Sequence, residues 1–466
     1  MSYSPQLVYF LDKLSGFSTN VFKLMPNGST AASPNQITRI TLPANALLNT
    51  RSFKLHFRAS TTGVGARLPA DLSTLVERVE VSAGGVQLSQ GTNFYNTLVN
   101  AKAAIQGSRC DSVTGHSELV RANKFDGSAV GASAGDDETY TTGTPHVIDK
   151  WEGFLGTCEP KILDAAILPD LVVSIYWADN TVLASCKQNT TYPLFIVVPD
   201  GSTAAAAYTI SDIHASIETI GLADAVYDNM VSSMIASKGF VEIPFKQYFS
   251  FSNTHTGSSR FTVATQSLDR IWTAWRADGY NTLGAPQPVP GYSAAAGHAS
   301  NATVAGNTQA NIIAGINSSI AKLSEYAGMH GTGAQEKYLT KYQKFTEPGA
   351  DGALKYQFQL NGAYYPQYPA GMEDMYQITK NSLPGSIKYG LTKEQLRDSY
   401  FVQCIRLNMP DSEFSRTISG LDTRSVSLNG YVNTTGTLST DPNLMIFAEC
   451  TSSLRVGAGR QLEIII

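Results

Sequence analysis

The residues able to do chemistry are few and scattered. Seven histidines occur, at His56, His116, His146, His214, His255, His298 and His330, with no two at metal-ligand spacing and no HExxH pair. A metal centre needs such clustering because several ligands must converge on one ion. Carboxylates gather at Asp136-Asp137-Glu138 and at Glu373-Asp374. A glycosidase holds two carboxyl groups at a set separation across a cleft. The first cluster lies in Gly-rich sequence and reads as a solvated loop tip; Glu373 and Asp374 would have to serve a β-sandwich hydrolase, the weakest of the functional readings. No GxSxG elbow, Walker loop or GxGxxG after a strand is present. The aromatic run Tyr364-Tyr365-Pro366-Gln367-Tyr368 offers either a sugar-stacking platform or ordinary strand-end packing. The five cysteines, Cys110, Cys158, Cys186, Cys404 and Cys450, form no CxxC pair and read as buried small hydrophobes in a reducing compartment. No catalytic, cofactor-binding or metal-ligating residue is assigned, and no enzyme is expected.

Charge points the same way. The 466 residues carry 34 basic and 38 acidic side chains, net −4, and only 15% are charged, against ~25% in an average soluble domain. The first fifty residues contain only Lys13, Lys23 and Arg39, so there is no polybasic arm to neutralise phosphates, and direct sequence-specific nucleic-acid binding is not expected. The start, Met1-Ser-Tyr-Ser-Pro5, has no basic region followed by an apolar one, so no secretory signal is expected. The most apolar stretch, 162–178, contains Asp164, Pro169 and Asp170 and is no membrane span. With 39 Gly, 20 Pro and 22 Tyr, the chain reads as many strands joined by many turns, with surfaces that meet other protein.

Period-two alternation supplies the elements. Phe53, Leu55 and Phe57 share one face while Lys54, His56 and Arg58 share the other; Leu354, Tyr356, Phe358 and Leu360 repeat the pattern. Further short segments around Val79, Ile213, Val241, Phe261 and Val426 are bounded by Gly, Pro, Asn or Asp, which points to antiparallel sandwiches. Trp272 and Trp275 fall in such a segment and are expected in a core. Helical pattern is local: 92–105; 222–236, read as a connector; an Ile-rich face at 312–323; and a short helix after the capping box Thr392-Lys-Glu-Gln395. The halves repeat an order of parts. A strand ending in Arg-Ala (53–59, then 271–277) precedes a hairpin (79–88, then 356–365), and a segment bearing Tyr95 or Tyr376 follows.

Several stretches form a familiar series: Leu75-Val-Glu-Arg-Val-Glu-Val-Ser-Ala-Gly-Gly85 with Tyr95-Asn-Thr-Leu98, Ser267-Leu-Asp-Arg-Ile-Trp-Thr-Ala-Trp-Arg276, Tyr356-Gln-Phe-Gln-Leu-Asn-Gly362 with Tyr365-Pro-Gln-Tyr-Pro369, Ile418-Ser-Gly-Leu-Asp-Thr-Arg424, and Phe447-Ala-Glu-Cys-Thr-Ser-Ser-Leu-Arg455. In this order, from about Asn35 to the end, they resemble the double jelly-roll major capsid proteins of Polinton-like viruses and virophages. Segments 107–143 and 278–352 match no family pattern. The resemblance implies an all-β fold, two eight-stranded antiparallel β-sandwiches in tandem with short helices and long loop insertions. Its expected divisions are an arm over 1–34, a first jelly roll over 35–221 with an insertion at 107–143, a connecting helix over 222–238, and a second jelly roll over 239–466 with an insertion at 278–352. It further implies homotrimeric, pseudo-hexagonal capsomers tiling an icosahedral shell around double-stranded DNA. Neighbouring trimers and penton or minor capsid proteins at the vertices would be the partners, and the virion, assembled inside a host cell, the location. No cofactor is implied. The 278–352 insertion would form an outward tower that helps clasp the trimer. The competing reading is a glycan-binding spike or adhesin.

Overall fold

The computed structural model describes residues 17–466 apart from 107–143, 189–196, 200–205, 223–232, 234–235, 238, 284–286, 289–337, 384–390, 410–417, 425–427, 439–441 and short loop stretches at 45, 63–65, 70, 90–91 and 350–351. The principal strands of the first lobe are β1 (Phe17–Leu24), β2 (Ile37–Thr41), β3 (Leu47–Thr62), β4 (Val76–Ala83), β5 (Val86–Gln87), β6 (Thr144–Ile148), β7 (Leu171–Trp177) and β8 (Ala207–Leu222). They form two sheets, β1-β8-β3-β6 and β2-β7-β4-β5. Those of the second lobe are β9 (Phe240–Thr254), β10 (Ser258–Val263), β11 (Leu268–Arg276), β12 (Lys355–Leu360), β13 (Ala363–Ala370), β14 (Val402–Arg406), β15 (Leu428–Thr435) and β16 (Asn443–Gly457). Their sheets run β9-β16-β11-β14 and β10-β15-β12-β13. Counted from the start of each lobe, one sheet takes the first, eighth, third and sixth strands and the other the second, seventh, fourth and fifth. Every pairing is antiparallel. That winding is a jelly roll, and the chain makes it twice.

Alternation decides which face goes inward. Phe53, Leu55 and Phe57 are buried while Lys54 and Arg58 are exposed, and Leu354, Tyr356, Phe358 and Leu360 are buried. Strand β11 is buried at all nine positions because both its faces are covered. Trp275 lies against Tyr356 and His255 inside the second sandwich, while Trp272 faces the other way and donates its indole N–H to Glu449 (2.9 Å).

Three expectations change. Residues 17–24, assigned to an arm, form β1, which pairs along its length with β8; a polar edge strand with a single neighbour has too weak an alternation to be read from sequence. Within the 278–352 insertion, the segment from Tyr338 to Gly349 packs inward, burying Thr340, Tyr342, Gln343 and Phe345. A helix that the sequence reading did not name, α2 (Met372–Ser382), follows β13 just as α1 (Tyr95–Gln106) follows β5, with Met372, Met375 and Thr379 buried. The capping box at Thr392 opens α3 (Lys393–Ser399), and its Thr392 and Gln395 side chains bond each other's backbone N–H groups. The connecting helix at 222–238 falls mostly, and the helix at 312–323 wholly, outside the described residues.

The two lobes are locked at α1. Its Tyr95 and Val99 belong to the first core, whereas Leu98, Ala101, Ala104 and Ile105 sit in the second. In the opposite sense, Ile243, Phe245, Leu454 and Val456 of the second lobe complete the first core, with Phe154 edge-on to Phe245 at 5.2 Å. Polar groups fix the register. Lys102 pairs with Glu152 (2.7 Å) and meets the Tyr248 hydroxyl (3.0 Å), which itself donates to Glu152 (3.0 Å). Thr92 donates to the Tyr248 carbonyl (2.7 Å), and the Glu159 N–H to the Pro244 carbonyl (3.0 Å). Beneath them lies the buried pair Arg270–Glu449 (2.7 Å). Burial alone would raise the Glu449 carboxyl, but Arg270, Lys102 and Lys246 together hold it at about 2. The end of the insertion adds a third tie: Tyr342 donates to Asn96 (2.9 Å) and Gln343 to Thr74 (3.2 Å). The buried Arg276 guanidinium is stacked by Tyr342 (4.2 Å), Tyr280 (4.6 Å) and Phe345 (5.3 Å).

Truncating the helix on its second-lobe face tests this lock. Leu98→Ala is expected to cost ~2–5 kcal/mol in urea unfolding and to split one transition into two as the lobes uncouple. His255 governs a second outcome. It is fully buried, bonded through Nδ1 to Ser259 (2.7 Å) and through Nε2 to Thr434 (2.8 Å), and burial lowers its pKa from 6.5 to about 4. The unfolded chain therefore takes up a proton that the native state refuses. This contribution to stability is present above pH 6.5 and is lost as pH falls towards 4. Thermal melts of the wild type should fall across that window, and His255→Gln should flatten the fall.

Candidate assembly surfaces

In a double sandwich the free sheet edges are where other protein can attach, because each carries backbone groups and side chains that the fold leaves uncovered. On the first lobe, β1 has β8 as its one neighbour among the described residues, and both Val21 (66% exposed) and Phe22 (46%) on opposite faces of the strand reach solvent. Met25, just after β1, is also exposed. On the second lobe, β13 has β12 as its one neighbour among the described residues and exposes Tyr364, Tyr365 and Tyr368. The two edges differ in chemistry. Strand β1 contains no proline, although its Val21 N–H is taken by the Asn20 side chain (2.9 Å); Pro366 and Pro369 deny β13 two donors, so contact there runs through the tyrosine rings. A third apolar margin comprises Met409, Ile418 and Leu421.

The sequence-derived candidates fall as follows. Glu373 is ion-paired with Lys393 (2.7 Å), and both are well exposed. The Lys393 bond, with a backbone N–H, lowers its carboxyl pKa, the opposite of what a general acid needs. Asp374 accepts the Gly371 N–H (3.3 Å) at the start of α2. Both carboxylates thus serve a helix end. The three tyrosines do lie together on one edge strand. Trp272 and Trp275 are core residues, as are Cys158, Cys404 and Cys450, whose thiols burial pushes up, that of Cys158 to about 12. Asp136-Asp137-Glu138 and the side chains of Cys110 and Cys186 lie outside the described residues, as do His116, His298 and His330. Among the described residues no three His, Cys, Asp or Glu side chains converge as metal ligands, and no helix is long and apolar enough to cross a membrane. One juxtaposition was invisible in the sequence: His56 of β3 and His214 of β8 are cross-strand partners with stacked rings, 4.8 Å apart.

No protein-family model matches the chain, and no curated protein matches it. Solved structures do. The fold superposes on PBCV-1 VP54, fitted into a cryo-EM reconstruction of the virophage Sputnik, with a TM-score of 0.56 at 12% identity over 96% of each chain. It superposes on the PBCV-1 virus capsid with a TM-score of 0.54 at 12% identity, again over 96% of each. The Faustovirus major capsid protein gives a TM-score of 0.50 at 10% identity, covering 95% of this chain and 91% of that one. Along nearly its whole length, then, the chain has the double jelly-roll fold of these viral capsid proteins.

Proposed function

We propose that the protein is a major capsid protein, located in the virion, whose homotrimers are pseudo-hexagonal tiles of an icosahedral shell. The observation that carries this reading is the repetition of one eight-strand winding in two lobes held rigidly to each other. Three such chains about a threefold axis present six similar lobes, so a trimer fills a hexagonal cell. The likeness to viral capsid proteins over 96% of the chain supports it. Its action is geometric, and no catalytic step belongs to it.

A cyclic trimer needs heterologous contacts, in which one lobe of each chain meets the other lobe of the next. The exposed apolar margin of β1 and the tyrosine edge of β13 suit such a pair, one offering aliphatic and backbone groups, the other aromatic faces. An obligate contact should bury ~2,000–5,000 Å². Hexagonal cells alone cannot close a shell, so a different protein occupies the fivefold vertices. The enclosed double-stranded DNA is held without sequence-specific contacts. The insertion at 278–352, apart from its inward-packed stretch at 338–349, is assigned to the outward tower; its residues 289–337 lie outside the described residues.

Size-exclusion mass with light scattering tests the proposal. The wild type is expected at about 150 kDa, three chains of 50.0 kDa. Val21→Asp with Phe22→Asp, both at exposed positions, should reduce the mass to that of one chain while circular dichroism stays unchanged. A 50.0 kDa wild type, or fibres and clubs in negative stain as a glycan-binding spike would give, contradicts it. Deleting 289–337 should leave a folded chain that trimerises weakly; the deletion must spare Tyr342 and Phe345, which belong to the core.

A further inference from the structure

The outer face of the first lobe's β1-β8-β3-β6 sheet carries a groove of about 470 Å³ whose lining includes Lys23, His56, Arg58, Asp212 and His214. Each element contributes by register. Lys23 comes from β1, His56 and Arg58 from β3 with Lys54 beside them, and His214 from β8; the β6 positions facing the groove, Pro145 and Val147, are uncharged, and His146 is turned to the core beside Phe57. The acids are accounted for. Asp212 pairs with Arg58 (3.3 Å), and Glu218 further along β8 accepts from Asn49 (2.8 Å). Cationic and titratable bases thus outnumber acids on one sheet face of a chain whose net charge is −4.

The two imidazoles are set up for a particular ligand. A register break between Ser211 and His214, with Asp212 at φ 52°, swings His214 over His56. Their planes are parallel within 1° at 4.8 Å. A metal lies in the plane of each ring that binds it, so two stacked rings do not converge on one ion. His214 donates its Nδ1–H to the Asp212 carbonyl (3.0 Å), which turns Nε2 away from that bond, and His56 uses Nε2 with Ser216 (2.9 Å), which leaves Nδ1 for another partner. Partial burial, then His214, Lys54 and Lys23, lower the His56 pKa. An anion seated there would oppose the nearby lysine charges and favour the charged form of His56.

We propose that this groove binds a phosphate-type oxyanion, held by Lys23, His56 and His214 with Arg58 at its rim. Binding favours the protonated form of His56, so it strengthens as pH falls through the histidine range. The groove borders the β1 edge assigned to trimer contact, sharing Lys23 and Met25 with it, and does not depend on the capsid reading itself.

Calorimetric titration of the assembled protein with inorganic phosphate, against chloride at equal ionic strength, tests it. One phosphate per chain is expected, and sulfate, which keeps both charges from pH 6 to pH 8, should bind the same site about tenfold more tightly at pH 6 than at pH 8. His56→Asn with His214→Asn should abolish the heat while leaving the oligomer's mass unchanged. Lys23→Ala, at an exposed position, should weaken binding several-fold without touching the rings. A parallel titration with a short DNA duplex identifies the source of the phosphate: binding by the duplex with the same pH and variant dependence assigns a nucleic-acid backbone, and binding by inorganic phosphate alone assigns the free ion. Heat no greater than in chloride for both probes, or heat that survives in the double histidine variant, overturns the proposal.

Discussion

The rest of the structure depends on the fixed angle between its two sandwiches, and one helix sets that angle. Tyr95 and Val99 of α1 anchor in one core while Leu98, Ala101, Ala104 and Ile105 anchor in the other, so neither core is complete without it. A hinge between lobes generally bends because interdomain contacts are polar and modest in area. Here the contact is core on both sides, with Lys102 and Glu152 half-buried in between and the Arg270–Glu449 pair buried beneath them. A buried ion pair adds little net stability over apolar packing, but removing one partner strands a charge at a cost of ~3–5 kcal/mol. The Arg270–Glu449 pair lies within the second lobe; the tie between lobes is the Tyr248 hydroxyl, which accepts from Lys102 and donates to Glu152 and would lose both partners in any other placement. On the proposed function, that rigidity is what makes two similar sandwiches usable as one tile.

Edge chemistry follows from the same design. Each sandwich must end somewhere, and an open edge invites uncontrolled pairing. The second lobe blunts its edge with Pro366 and Pro369 and leaves tyrosine rings to make contact; the first lobe leaves β1 open, with Val21 and Phe22 in water. A contact between the open β1 edge of one chain and the blunted β13 edge of the next would be directional, which suits a closed ring rather than the like-with-like pairing of a twofold dimer.

Much of this was legible in the sequence, and for identifiable reasons. Phe53, Leu55 and Phe57 against Lys54 and Arg58 is a two-residue period that only a half-buried strand satisfies, and the repeated order of strand, hairpin and following segment marks the third, fourth and fifth strands of each lobe, with α1 and α2 after them. Thr392 and Gln395 announced a helix start through chemistry confined to four residues. What failed to show was anything set by distant pairing. β1 alternates poorly because Ser18, Thr19 and Asn20 need bury nothing at an edge. The stacking of His56 on His214 is created by strand register and a bulge, which no local spacing encodes. The double role of α1 was hidden as well, since a helix buried against two cores carries the same apolar residues as one buried against a single core.

The central claim is that one rigid chain supplies two equivalent lobes to a threefold tile, and a cryo-EM map of the purified wild-type protein tests it most directly. The account predicts three chains in a hexagonal outline, six lobes at near-equal spacing, and an unbroken α1 bridging the lobes of every chain. A solitary chain, a twofold particle, or lobes that swing relative to each other between particle classes would contradict it.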